Sequence, residues 1–137
     1  MCIRDSPNDV RLVVRYAPFH RNSDLVVKML EASKVQGKYW EVLDAVLADQ
    51  PLWASHGEPN LYAAYQSAVR VGVDLNKALF DAQSPGVAAA LKQDVEDLTA
   101  LEVTKTPTFF VNGRSLPSFG AAQLESLVAE EVAKIKK

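Results

Sequence analysis

One thiol, two imidazoles and a Thr-Pro-Thr run are the parts of this 137-residue chain whose types and spacing invite chemistry. The thiol is Cys2. A thiolate that attacks a disulfide forms a mixed disulfide, and a second thiol must resolve it. A single cysteine therefore supports no internal disulfide, no Cys-x-x-Cys pair and no thiolate zinc site. The imidazoles of His20 and His56 lie far apart in turn-like stretches, "APFHRNS" and "ASHGEPN". No metal site is expected from them, and no cofactor is implied. An imidazole titrates near neutral pH, so His20 could tune a neighbouring thiolate, but its loop composition favours no role, and the same holds for His56.

The Thr-Pro-Thr run lies in "TKTPTFFVNGR", Thr104 to Arg114. Thr106 and Pro107 lead into a strand over Thr108 to Val111. Asn112-Gly113 then gives the strongest short-range hairpin signal, and "RSLP" returns as the second strand, ending at Pro117. Lys105 and Arg114 flank this hairpin, as isolated surface charges that rarely select a substrate.

Other elements must position that hairpin. "DVRLVVRYA", Asp9 to Ala17, is a β-branched run that predicts a strand buried on both faces, as in a parallel sheet. "PFHRNS" breaks it, and Asn22 or Ser23 is placed to cap a helix from about Asp24, with Leu25, Val26, Met29 and Leu30 on one face and Gly37 as its stop. A second helix, from about Lys38 to Ala48, puts Trp40, Leu43, Val46 and Leu47 on one stripe and ends at Pro51. Pro59 opens a helix carrying Leu61, Tyr62, Tyr65 and Val69, stopped at Gly72. Asp74 caps a short helix through Gln83 with Leu75, Leu79 and Phe80 as its apolar residues. Ser84-Pro85 starts a long one, with serine as cap and proline in the first turn, on which Val87, Leu91, Val95, Leu98 and Leu101 recur. Ser118 is the expected cap of the last helix, which sets Leu124, Leu127, Val128, Val132 and Ile135 inward. Its basic end, Lys134, Lys136 and Lys137, suits the negative pole of the helix dipole. Aromatic residues at helical spacing (Trp40, Trp53, Tyr39, Tyr62, Tyr65) read as core rather than as a ligand groove, and Glu130 with Glu131 as a solvated face.

Taken in order, "VRLVVRYAPF", "QGKYWEVLDAVL" and "ALEVTKTPTFFVNGR" resemble the DsbA-like thiol–disulfide oxidoreductases, over nearly everything from Asp9 onward. The resemblance implies an α/β thioredoxin-like fold with a helical insertion at about 23–102, and a cis bond before Pro107. It also implies that Thr106, Pro107 and Thr108 line the site where an extended substrate adds as a strand. The Cys-x-x-Cys helix of that family, and the first core strand before it, would precede Asp9; neither is in this sequence. Residues 7–137 thus read as a partial domain without catalytic residues, and the segment ought to be less stable than its parent because two strands lose the neighbour between them. "MCIRDS", residues 1–6, has no period or cap. It is similar to a translated sequencing adapter and is set aside as a non-native tail, the alternative being a disordered terminus.

The implied partners are proteins or peptides with thiols or disulfides in extended conformation, and the implied compartment of the intact parent is the periplasm or cell envelope, which is oxidising. A formal net charge of −2 gives no basic surface for nucleic acid, and no apolar run is long enough to span a bilayer. Two other functions stay open: a non-catalytic module that binds extended peptides, and a glutathione-dependent transferase or isomerase. A serine in place of the first cysteine upstream would favour the transferase, and no upstream helix at all would favour the binding module.

Overall fold

A computed structural model of the chain describes residues 8–54 and 57–136. Cys2, the tail at 1–6, Pro7, His56 and Lys137 lie outside the described residues. The chain falls into two compact units. One is the continuous run Tyr16–Ala100; the other joins the described residues of 8–15 to those of 101–136.

The Tyr16–Ala100 unit is helical: α1 (Ser23–Ala32), a 3-10 turn (Ser33–Gln36), α2 (Tyr39–Ala48), α3 (Gln50–Trp53), α4 (Leu61–Arg70), α5 (Leu75–Asp81) and α6 (Pro85–Ala100). The central helix is α1, which packs against α2, α4, α5 and α6. Its inward face is Val26, Met29, Leu30 and Ala32, with Met29 wholly buried, as the 3.6-residue period demands. Gly37 takes φ 68° and ends this run as expected. Asp74 caps α5 by accepting the Lys77 amide at 3.1 Å. The Ser84 hydroxyl accepts the Val87 amide at the start of α6. Gln36 and Asp74 exchange a reciprocal pair of hydrogen bonds, at 3.0 and 2.8 Å, that holds the 3-10 turn against the start of α5.

Several expectations are corrected here. Asn22 precedes α1 in the left-handed region with no side-chain cap, and Ser23 instead donates its hydroxyl back to the His20 carbonyl at 2.6 Å. Pro51 does not stop the chain's coiling; it sits in the first turn of α3, where a missing N–H costs nothing. Trp53 then fastens α3 to α2 by donating its indole N–H to the Val46 carbonyl at 2.8 Å. On α2 the buried stripe is Tyr39, Val42 and Val46, while Trp40 and Leu47 face outward. On α4 the buried residues are small, Ala64, Ser67 and Ala68, and Tyr62 and Val69 are exposed. That helix opens at Leu61, two residues after Pro59, with Asn60 as its cap. Helix α5 ends at Asp81 and leaves Phe80 exposed.

A polar chain, buried at Tyr16 and Tyr39, runs through this unit. The Tyr16 hydroxyl donates to Glu31 Oε2 at 2.6 Å and lies 2.9 Å from the Tyr39 hydroxyl. Lys34 reaches Glu31 Oε1 at 2.9 Å and lies over the Tyr39 ring. The Tyr16 amide donates to Asp94 at 2.9 Å. Burial and the bond to Glu31 push the Tyr16 phenol far above its ordinary value, and burial raises Tyr39 as well.

The other unit holds β1 (Phe110–Val111), β2 (Arg114–Ser115) and α7 (Ala121–Ile135). The two strands pair antiparallel with Phe110 opposite Ser115 and Val111 opposite Arg114. Asn112 and Gly113 close the turn with φ 50° and 79°, both positive as a two-residue hairpin of this hand requires. The regular strand is shorter than Thr108 to Val111, since the short returning segment pairs with only its end. Strand Asp9 to Ala17 is also corrected: no ladder includes it among the described residues, and Leu12 and Val13 are exposed. A strand is defined by the ladder it joins, and the sheet among the described residues pairs β1 with β2 alone. Helix α7 starts after Gly120, two residues beyond the expected Ser118 cap. It packs on β1 and buries Leu127 and Val132, with Ile135 exposed. Lys136 reaches back to Asp9 at 3.0 Å.

Candidate functional site

The hairpin unit carries a groove of about 410 Å³ lined by Lys105 to Phe109, Ser115, Leu116 and Phe119. The Thr106–Pro107 peptide bond is cis. Thr106, Pro107 and Thr108 are all exposed and lie just before the first ladder residue. Their main chain is therefore not consumed by the hairpin, whose last close contact is the Leu116 amide donating to the Phe109 carbonyl at 3.3 Å. Thr108 folds its hydroxyl back onto the Lys105 carbonyl at 2.5 Å, which fixes the turn before the strand.

The walls are apolar. Phe109 and Phe119 face each other with ring centroids 6.4 Å apart and planes 22° apart, an offset-stacked pair. Phe109 is half-buried, but Phe119 is 70% exposed, so much of its ring area is open to a ligand. Sequence reasoning placed Thr106, Pro107 and Thr108 and passed over Phe109, Leu116 and Phe119. The available signal was Phe119 itself, a large apolar residue in "LPSFG", between a turn and a helix that had no inward position for it.

Next to the groove, the hairpin is tied to α7 by charge. Arg114 Nη1 lies 2.7 Å from Glu131 Oε1 and 3.1 Å from Glu130 Oε2. Glu131 also accepts from Lys134 at 2.7 Å and from the Asn112 side-chain amide at 3.1 Å. Bonds from Lys134, then Arg114, then Asn112 hold its carboxyl at about 2, below the usual range. Glu131 raises Arg114 in return. This corrects the reading of a solvated face for Glu131, whose side chain is 11% exposed, while Glu130 is exposed as expected; the two carboxylates also occupy Arg114, which leaves it little to offer an acidic substrate. Lys105 alone remains on the groove.

The other residues considered for chemistry do not join the groove. His20 lies exposed in the turn before α1, a member of the helical unit. Of the aromatic residues, Tyr39 is core, Trp53 and Tyr65 are half-buried, and Trp40 and Tyr62 are exposed. No group of three or more His, Cys, Asp or Glu that could hold a metal ion occurs among the described residues.

The family model described as Thioredoxin matches residues 5–130, almost the whole chain. The chain belongs to the thioredoxin family. Its curated relatives carry a different kind of name. It is 32% identical over 123 residues to the Na(+)/H(+) antiporter NhaA of Herminiimonas arsenicoxydans, a match covering 90% of this chain and 19% of the antiporter. It is 31% identical over 124 residues to Na(+)/H(+) antiporter NhaA 1 of Salinispora arenicola, covering 88% of this chain and 18% of that protein. Na(+)/H(+) antiporter NhaA 3 of Salinispora tropica is similar at 32% over 123 residues, again with 88% and 18% covered. The chain thus spans about a fifth of the length of the curated relatives it matches. No solved structure matches it significantly. Within this thioredoxin-family chain, helices and a small antiparallel sheet make up the α/β fold. No helix among the described residues is long and apolar enough to cross a membrane.

Proposed function

We propose that this chain is the substrate-holding part of a DsbA-like thiol–disulfide oxidoreductase, acting on extended segments of other proteins. The observation that carries the reading is the open groove beside Thr106, Pro107 and Thr108, whose free main chain runs along the apolar walls Phe109, Leu116 and Phe119. Main-chain bonding to such an edge gives affinity without fixing the bound sequence, and the phenylalanines add apolar contact area. The exchange itself needs two thiols. One thiolate attacks a substrate sulfur, the other substrate sulfur leaves as a thiolate, and the second protein thiol then resolves the mixed disulfide. With Cys2 as its one cysteine, the chain is assigned the holding of substrate and not the attack. The compartment that suits this work is an oxidising one, the periplasm or cell envelope.

The test is a titration of the whole chain with an unfolded peptide whose cysteines are alkylated, followed by amide chemical shifts. The expected result is a saturable response centred on residues 105–119. A flat titration at millimolar peptide, or shifts spread over the helical unit, overturns the reading.

A second reading is favoured by the relatives, in which the matched stretch is under a fifth of an antiporter. In that reading the domain is a non-catalytic module carried by a membrane protein of that kind. Sequencing the surrounding reading frame decides it: a series of long apolar spans in the same frame supports the module, and their absence removes it.

A further inference from the structure

The hairpin turn has a reactivity of its own, independent of any thiol. We propose that Asn112-Gly113 is a self-modification site, at which the Asn112 side-chain amide is lost spontaneously and the turn converts to aspartate and isoaspartate. The chain has five asparagines, and the residues after them are Asp9, Ser23, Leu61, Lys77 and Gly113. Gly113 alone lacks a side chain to shield its amide nitrogen. Asn112 and Gly113 are both exposed, and no heavy atom outside residues 112–114 lies within 4 Å of where a Gly113 Cβ would stand. The turn is closed by the Val111–Arg114 pair, so the Gly113 amide is no partner in the ladder.

The step balances without a cofactor. The Gly113 nitrogen gives up its proton and bonds to Asn112 Cγ; the Cγ–Nδ2 bond breaks and ammonia leaves. Water then opens the five-membered imide at either carbonyl, giving aspartate, or isoaspartate with an extra main-chain carbon. Attack requires the peptide unit between the two residues to rotate. A ladder of two residue pairs at the surface permits this by local fraying.

The position gives the modification a consequence. Asn112 donates its side-chain amide to Glu131 Oε2 at 3.1 Å, beside the Arg114 bridge. Deamidation removes that very donor and puts a carboxylate against a carboxylate, so an attractive contact in the hairpin–α7 tie becomes a repulsive one. Ser115 and Leu116, which line the groove, follow directly after Arg114.

The experiment is incubation of the folded full chain in mildly alkaline buffer made with oxygen-18 water, with peptide mass mapping over days. The expected result is label and mass gain at residue 112 at least several-fold ahead of Asn22, Asn60 and Asn76, with isoaspartate in the product and strong slowing in Gly113→Ala. Since Gly113→Ala also strains a left-handed turn, Asn112→Gln, which keeps the fold's amide and lengthens its reach, is the second control and should not convert. An Asn112 that stays unchanged while a free peptide of the same sequence converts overturns the proposal. The proposed consequence has its own arm: Asn112→Asp should melt earlier than the parent, and the same change made in a Glu131→Gln background should lower the melt by much less, relative to Glu131→Gln alone. An Asn112→Asp chain that melts with the parent removes the consequence.

Discussion

Arg114 Nη1 lies 2.7 Å from Glu131 Oε1, so β2 and α7 are joined by a charge pair as well as by the packing of α7 on β1. Because Glu131 also takes Lys134 and Asn112, this carboxylate is the hub of the hairpin's attachment.

Acid should test the hub. The Glu131 carboxyl is depressed from 4.5 to about 2 in the folded chain. A depressed carboxyl binds fewer protons when folded than when unfolded, so its stabilising contribution is full above pH 4.5 and is lost as pH falls toward 2. Denaturant titrations across that window should lose stability in the parent, and Glu131→Gln should flatten this part of the profile. The effect should be smaller in high salt, as for any exposed charge network.

Tyr16→Phe should cost about 1.5–3 kcal/mol in urea unfolding, the usual range for a hydrogen bond to a charged partner. The change leaves Glu31 with Lys34 alone and strips the Tyr39 hydroxyl of its neighbour. The same residue sets an alkaline limit. A phenol raised in the folded state contributes stability that is full below its unfolded value of 10.0 and is lost as pH rises beyond it. The tyrosinate absorbance of Tyr16, read as the difference between the parent and Tyr16→Phe, should therefore appear together with unfolding, and Tyr16→Phe should shallow that limb.

Met29→Ala should be the most damaging of these changes, by about 2–5 kcal/mol. Met29 is wholly buried on the helix that touches most of the others. Met29→Leu, close in volume, should cost less than about 1.5 kcal/mol. Equal losses for the two variants in thermal melts would show that the site is not packed as described.

Asp74→Ala should lose about 0.5–2 kcal/mol, the ordinary worth of an N-cap, because Asp74 accepts the Lys77 amide. Asn22→Ala should lose less through capping, since Asn22 makes no side-chain cap bond. Its left-handed φ of 59° still disfavours alanine. Asn22→Gly separates the two effects and should be close to neutral in a urea melt.

Helix existence was legible wherever a local signal sufficed: Ser84-Pro85, Asp74 and Gly37 each act within a few residues. The Asn112-Gly113 turn was legible for the same reason. Which side chains face inward was less so. On α4 the sequence offers Tyr62, Tyr65 and Val69 as the apolar stripe, yet close approach of α2 and α3 selects Ala64 and Ala68 instead. On α2, Trp40 loses the buried place to Tyr39, whose hydroxyl finds Tyr16, a residue distant in sequence. Strand Asp9 to Ala17 failed differently, because composition can make a segment suited to a sheet but cannot provide its neighbours. At the site, the loop Thr106 to Thr108 was read from a motif, whereas Phe119 enters the groove only through its nearness to Phe109. The hub role of Glu131 was invisible, since a glutamate pair on a helix looks the same whether or not an arginine lies opposite.

The seam of α4 imposes an asymmetry on how this chain tolerates change. With Ala64 and Ala68 fully buried, each already near the smallest side chain there is, those positions have a ceiling on volume and almost no floor. Tyr62, two residues before Ala64 and so on the opposite side of the helix, is 73% exposed and has neither. Random substitution along one short helix should therefore be filtered residue by residue, with bulk admitted at the aromatic positions and refused at the alanines.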